Sequence, residues 1–374
     1  MAYECRIVAD SVTVHKDSIS RRKSKKKNVK PWYRKVVCRV TTFVIVLPRN
    51  MLAEFNTHRD LSRNSASSRA IPTKTFLRKI LSDTFVPEEF GTAIPRMNAG
   101  PPLEGEKLEK AMEVWGDAAV SQIWFALSLT TTPEYVIREW DKWVEEKNDD
   151  FAEFVLDIID RIEDKENPIH NEPLLNVTKG LTNRLLEPFV WHEIIVTATE
   201  WENFFALRTD NNAQREIRVI AQMMKEVYDA SEPELLKEGE WHLPFIQPEE
   251  KQWAKRNPLS AAKAVTARCA RVSYLTHDKK VIDLEADYAL ADSLAKNGHM
   301  SPFEHALYPI PAAEWKVRMK MARVALRGKH VEKHVRELMA DRQEFSGNVR
   351  GFAQARRDQL NQQVFVPQVE LEAA

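Results

Sequence analysis

The chain of 374 residues is 43% hydrophobic, enough to bury one large core or two modest ones, so a globular protein is expected and not a disordered one. Lysine plus arginine number 55 and so do aspartate plus glutamate, which excludes a global field of one sign that would recruit nucleic acid or an anionic membrane. Cys5, Cys38 and Cys269 make no CxxC pair or zinc-type spacing, no signal-peptide pattern opens the chain, and no apolar run approaches membrane-spanning length, so a soluble cytoplasmic protein is expected.

From Arg21 to Lys35 basic residues dominate (RRKSKKKNVKPWYRK). Such a run cannot bury a face, so it is read as an exposed loop, either merely solvated or in contact with phosphate or nucleic acid; Trp32 and Tyr33 add to the second reading. Val36 to Leu47 (VVCRVTTFVIVL) is rich in β-branched residues and stops at Pro48, which predicts a buried strand. A short helix over Met51 to Thr57 precedes the polar THRDLSRNSASSRAIP, where serine and asparagine favour a shaped loop.

Leu103 to Glu163 shows helical periodicity at Met112, Trp115, Ala119, Ile123 and Trp124, and Thr132-Pro133 opens a further helix carrying Trp140 and Trp143. Helices are also predicted over Leu174 to Leu186, Asn211 to Tyr228, Ala261 to Tyr274 and Leu284 to Lys296, and a strand over Val190 to Ala198. The expected organisation is a basic segment 1–35, a core 36–250 with a helical insertion near 100–170, and a part 251–374 that completes the same fold after a soft boundary near 250.

Ten glycines never form GxG, which excludes the dinucleotide-binding fingerprint and the phosphate loop. No GxSxG accompanies His58 and its neighbouring serines, which argues against a serine hydrolase. His330 and His334 lie four apart but do not match HExxH, so they are read as part of a solvated charged helix, and no metal site is expected.

The loop Thr57 to Arg69 concentrates His58, Arg59, Arg63 and Arg69 among hydroxyls and an amide, the donor set that phosphate and the carbonyl edges of a base require; by residue type alone a solvated polar loop fits equally. Its pattern resembles flavin-dependent thymidylate synthases, recognised by RHRxxSxNExSxRY: His58, Arg59, Ser62, Asn64, Ser67 and Arg69 fall on matching positions. Thr57 replaces the first arginine, Ser65 the glutamate and Ala70 the tyrosine.

NFFALRTDNNAQREIR, from Asn203 to Arg218, is similar to that family's NFxxLRxxxxAQxEI, which implies that Asn203 touches flavin and Arg208 activates uracil; Gln214, Glu216 and Arg218 are read as an exposed helix face. Asn183-Arg184 and Pro188 resemble the family's arginine-then-proline segment, implying a substrate contact at Arg184. ARCARVSY (Ala267 to Tyr274) and GHMSPFEH (Gly298 to His305) resemble segments that precede the RHR loop in most members but here follow everything else. The resemblance therefore implies a permuted member, a layout associated with phage and actinobacterial proteins, built as one α+β fold of a mixed or antiparallel sheet with long helices. Permutation is tolerable where the original termini lie close at the surface. SGNVRGFAQARR (Ser346 to Arg357) faintly echoes the residues before the family's RHR, but a basic surface helix is the favoured reading.

The resemblance assigns charge stabilisation to Arg208, substrate contacts to Glu54, Ser65, Ser67, Arg69 and Arg184, and cofactor contacts to His58, Arg59, Ser62, Asn64, Thr197, Asn203 and His305. It implies FAD, NADPH and 5,10-methylenetetrahydrofolate, dUMP as substrate, and a homotetramer with active sites between subunits. No cysteine has a context for thiolate attack, which favours a route without one. Two alternatives stay open: hydroxymethylation or methylation of dUMP or dCMP in phage DNA modification, motivated by Thr57 and Ser65, and nucleic-acid binding through the basic segment.

Overall fold

The structure is a computed structural model that describes residues 3–19, 32–95, 99–146, 149–272, 283–325 and 348–358. The expectations for residues 21–31, Ser273, Tyr274, His330, His334 and Ser346 lie outside these.

The first elements are β1 (Glu4–Ile19), β2 (Trp32–Pro48), α1 (Leu52–Phe55) and β3 (Ser62–Ser65). Five helices follow: α2 (Thr73–Ser82), α3 (Glu106–Thr130), α4 (Pro133–Glu145), α5 (Phe151–Glu163) and α6 (Lys179–Leu186). Then come β4 (Trp191–Ala198), α7 (Glu202–Arg208), α8 (Arg215–Ala230) and β5 (Glu234–Leu235). The last third holds α9 (Lys251–Arg256), α10 (Pro258–Arg271), α11 (Leu284–Lys296), β6 (Leu307–Pro309), α12 (Ala312–Ala325) and β7 (Phe352–Gln354).

The main sheet runs β3-β4-β2-β1-β5, antiparallel except for the β1/β5 pair, so it is mixed, and the chain is α+β. Val40 to Leu47 are buried without interruption because β2 is covered on both faces. Phe43, Ile45 and Leu47 join Ile194, Val196 and Ala198 of β4 on one face, against Ile217, Ile220, Ala221 and Met224 of α8. Those α8 positions have the spacing of one helical stripe. Val44 and Ile195 point the other way and meet Cys269 and Val272 at the end of α10. Strand alternation thus gives the helices of the middle of the chain one face and α10 the other.

Helices α2 to α6 close a second core around Phe154, Ile158, Ile123 and Leu127, into which Trp124 and Trp140 pack. Thr132 caps α4 as expected, accepting from the Tyr135 amide.

Four boundaries differ from the sequence reading. Residues 4–19, set apart with the basic segment, form β1 and pair with β2 from Glu4↔Val46 to Ile19↔Trp32, which also takes 32–35 out of the expected loop. The alternation in VADSVTVH is a strand signal that the neighbouring lysine run obscures. The helix expected from Leu174 begins at Lys179, because the Leu175 and Val177 amides donate to the carbonyls of Thr131 and Leu129 and Asn176 between them has φ +44°. The helix expected from Asn211 begins at Arg215, since Asp210 Oδ1 accepts the Asn212 amide and holds a turn. In place of a surface helix over 346–357, Phe352–Gln354 form β7 against β6, with all three residues buried.

Gly351 leads into β7 with φ +77°, and a Cβ there would stand 2.6 Å from Cys38 Sγ and 2.7 Å from Cys38 Cβ on β2. Both terms act against a side chain, the left-handed backbone and a close approach that no flexible group can relieve. Gly351→Ala is therefore expected to lower unfolding free energy by at least about 2 kcal/mol, measured by urea denaturation. An unchanged midpoint would show that β7 is not locked onto β2.

Candidate functional site

Arg208 is the last residue of α7, and Phe204 one turn earlier anchors that helix end in the core. Its guanidinium organises the start of the Thr57 to Arg69 loop: Nε donates to His58 Nε2 at 2.8 Å, Nη2 donates to Thr57 Oγ1 at 3.2 Å, and Nη1 pairs with the Glu54 carboxylate. Arginine has no acceptor, so His58 Nε2 is the unprotonated nitrogen of a neutral ring. Burial, then the cations Arg208 and Arg63, push the His58 pKa down, in agreement. Thr57 stands where the resembled family has arginine, and here its hydroxyl accepts from Arg208 and donates to the Glu54 carbonyl at 2.7 Å. A second guanidinium in this place would repel the first.

Within the Thr57 to Arg69 segment Ser62–Ser65 form β3 in place of the expected loop, and β3 pairs with β4, setting Ser62 opposite Thr197. Ser62 Oγ accepts from Asn348 Nδ2 at 2.7 Å and Gln354 Nε2 at 2.8 Å. Asn64 Nδ2 donates to the Cys269 carbonyl at 3.1 Å, and Asn64 Oδ1 accepts from Ser301 Oγ at 3.3 Å. Thr197 Oγ1 lies 2.8 Å from His305 Nδ1 and 2.7 Å from Thr42 Oγ1. Thr42 Oγ1 lies 2.8 Å from His242 Nε2, whose Nδ1 is 2.9 Å from Ser11 Oγ. His305 is fully buried, and its Nε2 has no hydrogen-bond partner among the described residues.

At the far end of the loop, the buried Arg49 Nη1 donates to the Ala66 carbonyl at 3.0 Å and to His192 Nδ1 at 2.9 Å. Nη2 donates to Ser68 Oγ at 2.8 Å, and Nε lies 3.2 Å from Glu187 Oε1. Burial pushes the Arg49 pKa down and Glu187 opposes it, and an arginine so far above neutral stays charged. Asn183 Nδ2 donates to the carbonyls of Ser68 and Ile71 at 2.8 and 2.9 Å. Over this support, Ser67, Arg69 and Arg184 are exposed. The Arg69 stem passes Gly180, where a Cβ would come within 3.1 Å of Cγ, and Arg184 is 3.8 Å from Glu187.

The candidate residues therefore fall into three groups along one loop and strand: Glu54, His58 and Arg208; Ser62, Asn64, Thr197 and His305; and Ser67, Arg69 and Arg184. Ser65 sits at the end of β3 opposite Ile194, while Arg59 and Asn203 are exposed. The described clefts of about 660, 560 and 420 Å³ have none of these residues in their walls. Sequence reading did not single out Arg49, His192, Thr42, His242 or Asn348, whose partners come from distant segments. It gave Gln354 to a surface helix, although a bond to Ser62 places it at the site. Burial pushes the thiols of Cys5 and Cys38 up to about 12 and about 11, and Cys269 further still, so none is a ready thiolate.

His192, His242 and His305 are each pushed down to about 3, chiefly by burial. The fold keeps them neutral, whereas the unfolded chain takes up protons below about pH 6.5. Stability is thus unaffected by them above that pH and falls as pH drops toward their folded values. Between about pH 6.5 and about pH 5 each is expected to remove about 2 kcal/mol, read from denaturation midpoints across a pH series. A flat profile over that interval would mean that these rings are protonated in the folded chain.

No curated protein matches the chain in sequence. Among solved structures, the UMP/dUMP methylase PolB from Streptomyces cacaoi bound with 5-Br UMP matches at 14% identity over 51% of this chain and 70% of that one. The TM-score is 0.28, a likeness too distant to carry a conclusion. The thymidylate synthase complementing protein family matches residues 38–234, a span that holds the loop, β4 and the α7 to α8 segment. With more than half of its length so matched, the chain belongs to the thymidylate synthase complementing protein family of methyltransferases.

Proposed function

We propose that the chain methylates dUMP at C5 to give dTMP, taking carbon from 5,10-methylenetetrahydrofolate and reducing power from FAD that NADPH keeps reduced. The observation that carries this reading is the bond from Arg208 to His58, which joins two motifs 150 residues apart.

The donor set fits a phosphate-bearing heteroaromatic cofactor. His58 is half-buried, Arg59 and Asn203 are exposed, and His305 Nε2 is a buried nitrogen without a partner among the described residues. Bound FAD would supply the hydride. Arg208, held in place by Glu54, would stabilise negative charge developing on the pyrimidine ring, which removes the need for a thiolate. Ser62, Asn64 and Thr197 are bonded to neighbours within the fold and would orient the cofactor side, chiefly by fixing the strand and His305. Ser67, Arg69 and Arg184, with Ser65, would hold the nucleotide phosphate and base edges. The exposure of Arg59, Asn203, Ser67, Arg69 and Arg184 supports a site closed by a second subunit, as in a homotetramer. A reaction in the cytoplasm, in a phage host where the chain is phage-encoded, completes the reading.

Incubation of the purified protein with FAD, NADPH, methylenetetrahydrofolate and either dUMP or dCMP, with products identified by mass spectrometry, is expected to give dTMP from dUMP. A hydroxymethyl product, or turnover of dCMP alone, would transfer the assignment to nucleotide modification, the alternative that Thr57 and Ser65 motivate; no flavin and no product would overturn the enzyme reading. Arg208→Ala is expected to cut kcat by at least about 100-fold while flavin absorbance persists. Flavin loss with turnover retained would move Arg208 to the cofactor.

A further inference from the structure

A line of five polar groups crosses the sheet face that α10 covers. Thr42 and Thr197 are direct partners in the β2/β4 register, so their hydroxyls meet on one face. His242 and His305 flank them, and the backbone bridge between His242 and Leu307 holds the two histidines at a fixed spacing. Ser11 ends the line on β1. All five residues are buried, with Ser11 the most accessible at 5%.

Each hydroxyl has one proton and each neutral ring has one, so the line runs in one of two directions when both threonines donate as well as accept. An arrangement in which Thr42 or Thr197 only accepts leaves that hydroxyl's proton and the bare His305 Nε2 both unpaired, two orphaned groups. In the first direction, Ser11 donates to His242 Nδ1, His242 Nε2–H to Thr42, Thr42 to Thr197, and Thr197 to His305 Nδ1. Every proton is then used except the one on His305 Nε2. In the reverse direction His305 Nδ1–H starts the line and His242 Nδ1–H ends it. The Ser11 proton then has no acceptor among the described residues, and the bare His305 Nε2 has no donor. One orphaned buried group is a lesser penalty than two, so the first direction wins.

We infer that Ser11, His242, Thr42 and Thr197 are positioning residues that hold His305 as its Nε2–H tautomer, presenting one pre-aimed hydrogen-bond donor to an acceptor atom of a bound ligand. Burial keeps both rings neutral, so that tautomer and not protonation is the variable. That the acceptor belongs to the flavin rests on the proposed function; the tautomer itself does not. Thr197 is thereby indirect in its effect, acting through His305.

The test is a long-range nitrogen–proton correlation spectrum of the full chain with nitrogen-15 in its histidine rings, recorded at neutral pH without added ligand, with His305 assigned by loss of its signals in His305→Gln. The wild type is expected to show His305 as Nε2–H alone. Thr42→Val, which keeps the shape and removes the central hydroxyl, is expected to lose that single-tautomer pattern and give a mixture, and Thr42→Ser to restore it. An Nδ1–H ring in the wild type, or an unchanged His305 pattern in Thr42→Val, would overturn the proposal. The wild-type spectrum alone decides it should Thr42→Val fail to fold. FAD titration separates the second question: with the tautomer result in place, Thr42→Val is expected to bind FAD about tenfold more weakly. Equal affinity would remove the flavin as the acceptor and leave the tautomer assignment standing.

Discussion

The burial of β2 and β4 on both faces is the constraint on which the rest of the molecule depends. Eight consecutive residues, Val40 to Leu47, have almost no access to water, so every polar side chain among them must find its partner inside. Thr41 does so with Asp10, which also binds Arg39 and Ser231 and so secures β1 to the end of α8. Thr42 does so with Thr197 and His242. An unsatisfied hydroxyl at either position would cost about 1–3 kcal/mol, which is enough to fix the direction in which the neighbouring segments can pack. The apolar face gathers α7 and α8, and the face with polar interruptions gathers α10 and the turn at Ser301–Glu304.

From that frame the site divides into groups that support and groups that are offered. Arg49, Asn183, Ser62, Asn64 and Gln354 are bonded within the fold and shape the loop and strand from beneath. Arg59, Ser67, Arg69, Arg184 and Asn203 face solvent. Arg208 stands between the two classes: a carboxylate, a ring nitrogen and a hydroxyl hold it, yet it remains 18% exposed at the side chain. A cation so fixed is already oriented before any charge develops near it, which is the condition for electrostatic stabilisation without reorganisation.

Much of this was legible in the residues. The β-branched run before Pro48, the Thr132-Pro133 helix start and the α8 stripe each follow from local rules, and the motif around His58 and Arg208 identified the family. What local rules could not reach was pairing at a distance. β1 carries its own alternating pattern, but the adjacent lysine run masks it until β2 is seen to lie beside it. Gln354 looks like part of a basic helix until Phe352 and Ala353 are seen to be buried against Cys38, Val40 and Leu307. Arg49 follows a proline at the end of a strand, with nothing nearby in sequence to announce that Ser68, Glu187 and His192 will surround it. Buried polar networks are specified by tertiary neighbours, and a single sequence does not display those.

The segments after residue 250 raise the question of why distance along the chain matters so little. Asn64 bonds to the carbonyl of Cys269, 205 residues away, and Ser301 bonds back to Asn64 across 237. Loop-closure entropy grows only logarithmically, about 0.6 kcal/mol for each doubling, so closing such a span instead of one tenth as long costs about 2 kcal/mol more. That penalty is met once for the whole segment. Against it stand the burial of Cys269 and Val272 on Val44 and Ile195, the Asn64 bonds, and the line from Thr197 to His305. The face of β2 and β4 that carries Thr42 and Thr197 accepts only a partner able to satisfy those hydroxyls, and His242 and His305 meet that demand from positions well after β4 in the chain. The sheet therefore selects its covering segments by polar complementarity, and their position along the chain enters only as a small entropic correction.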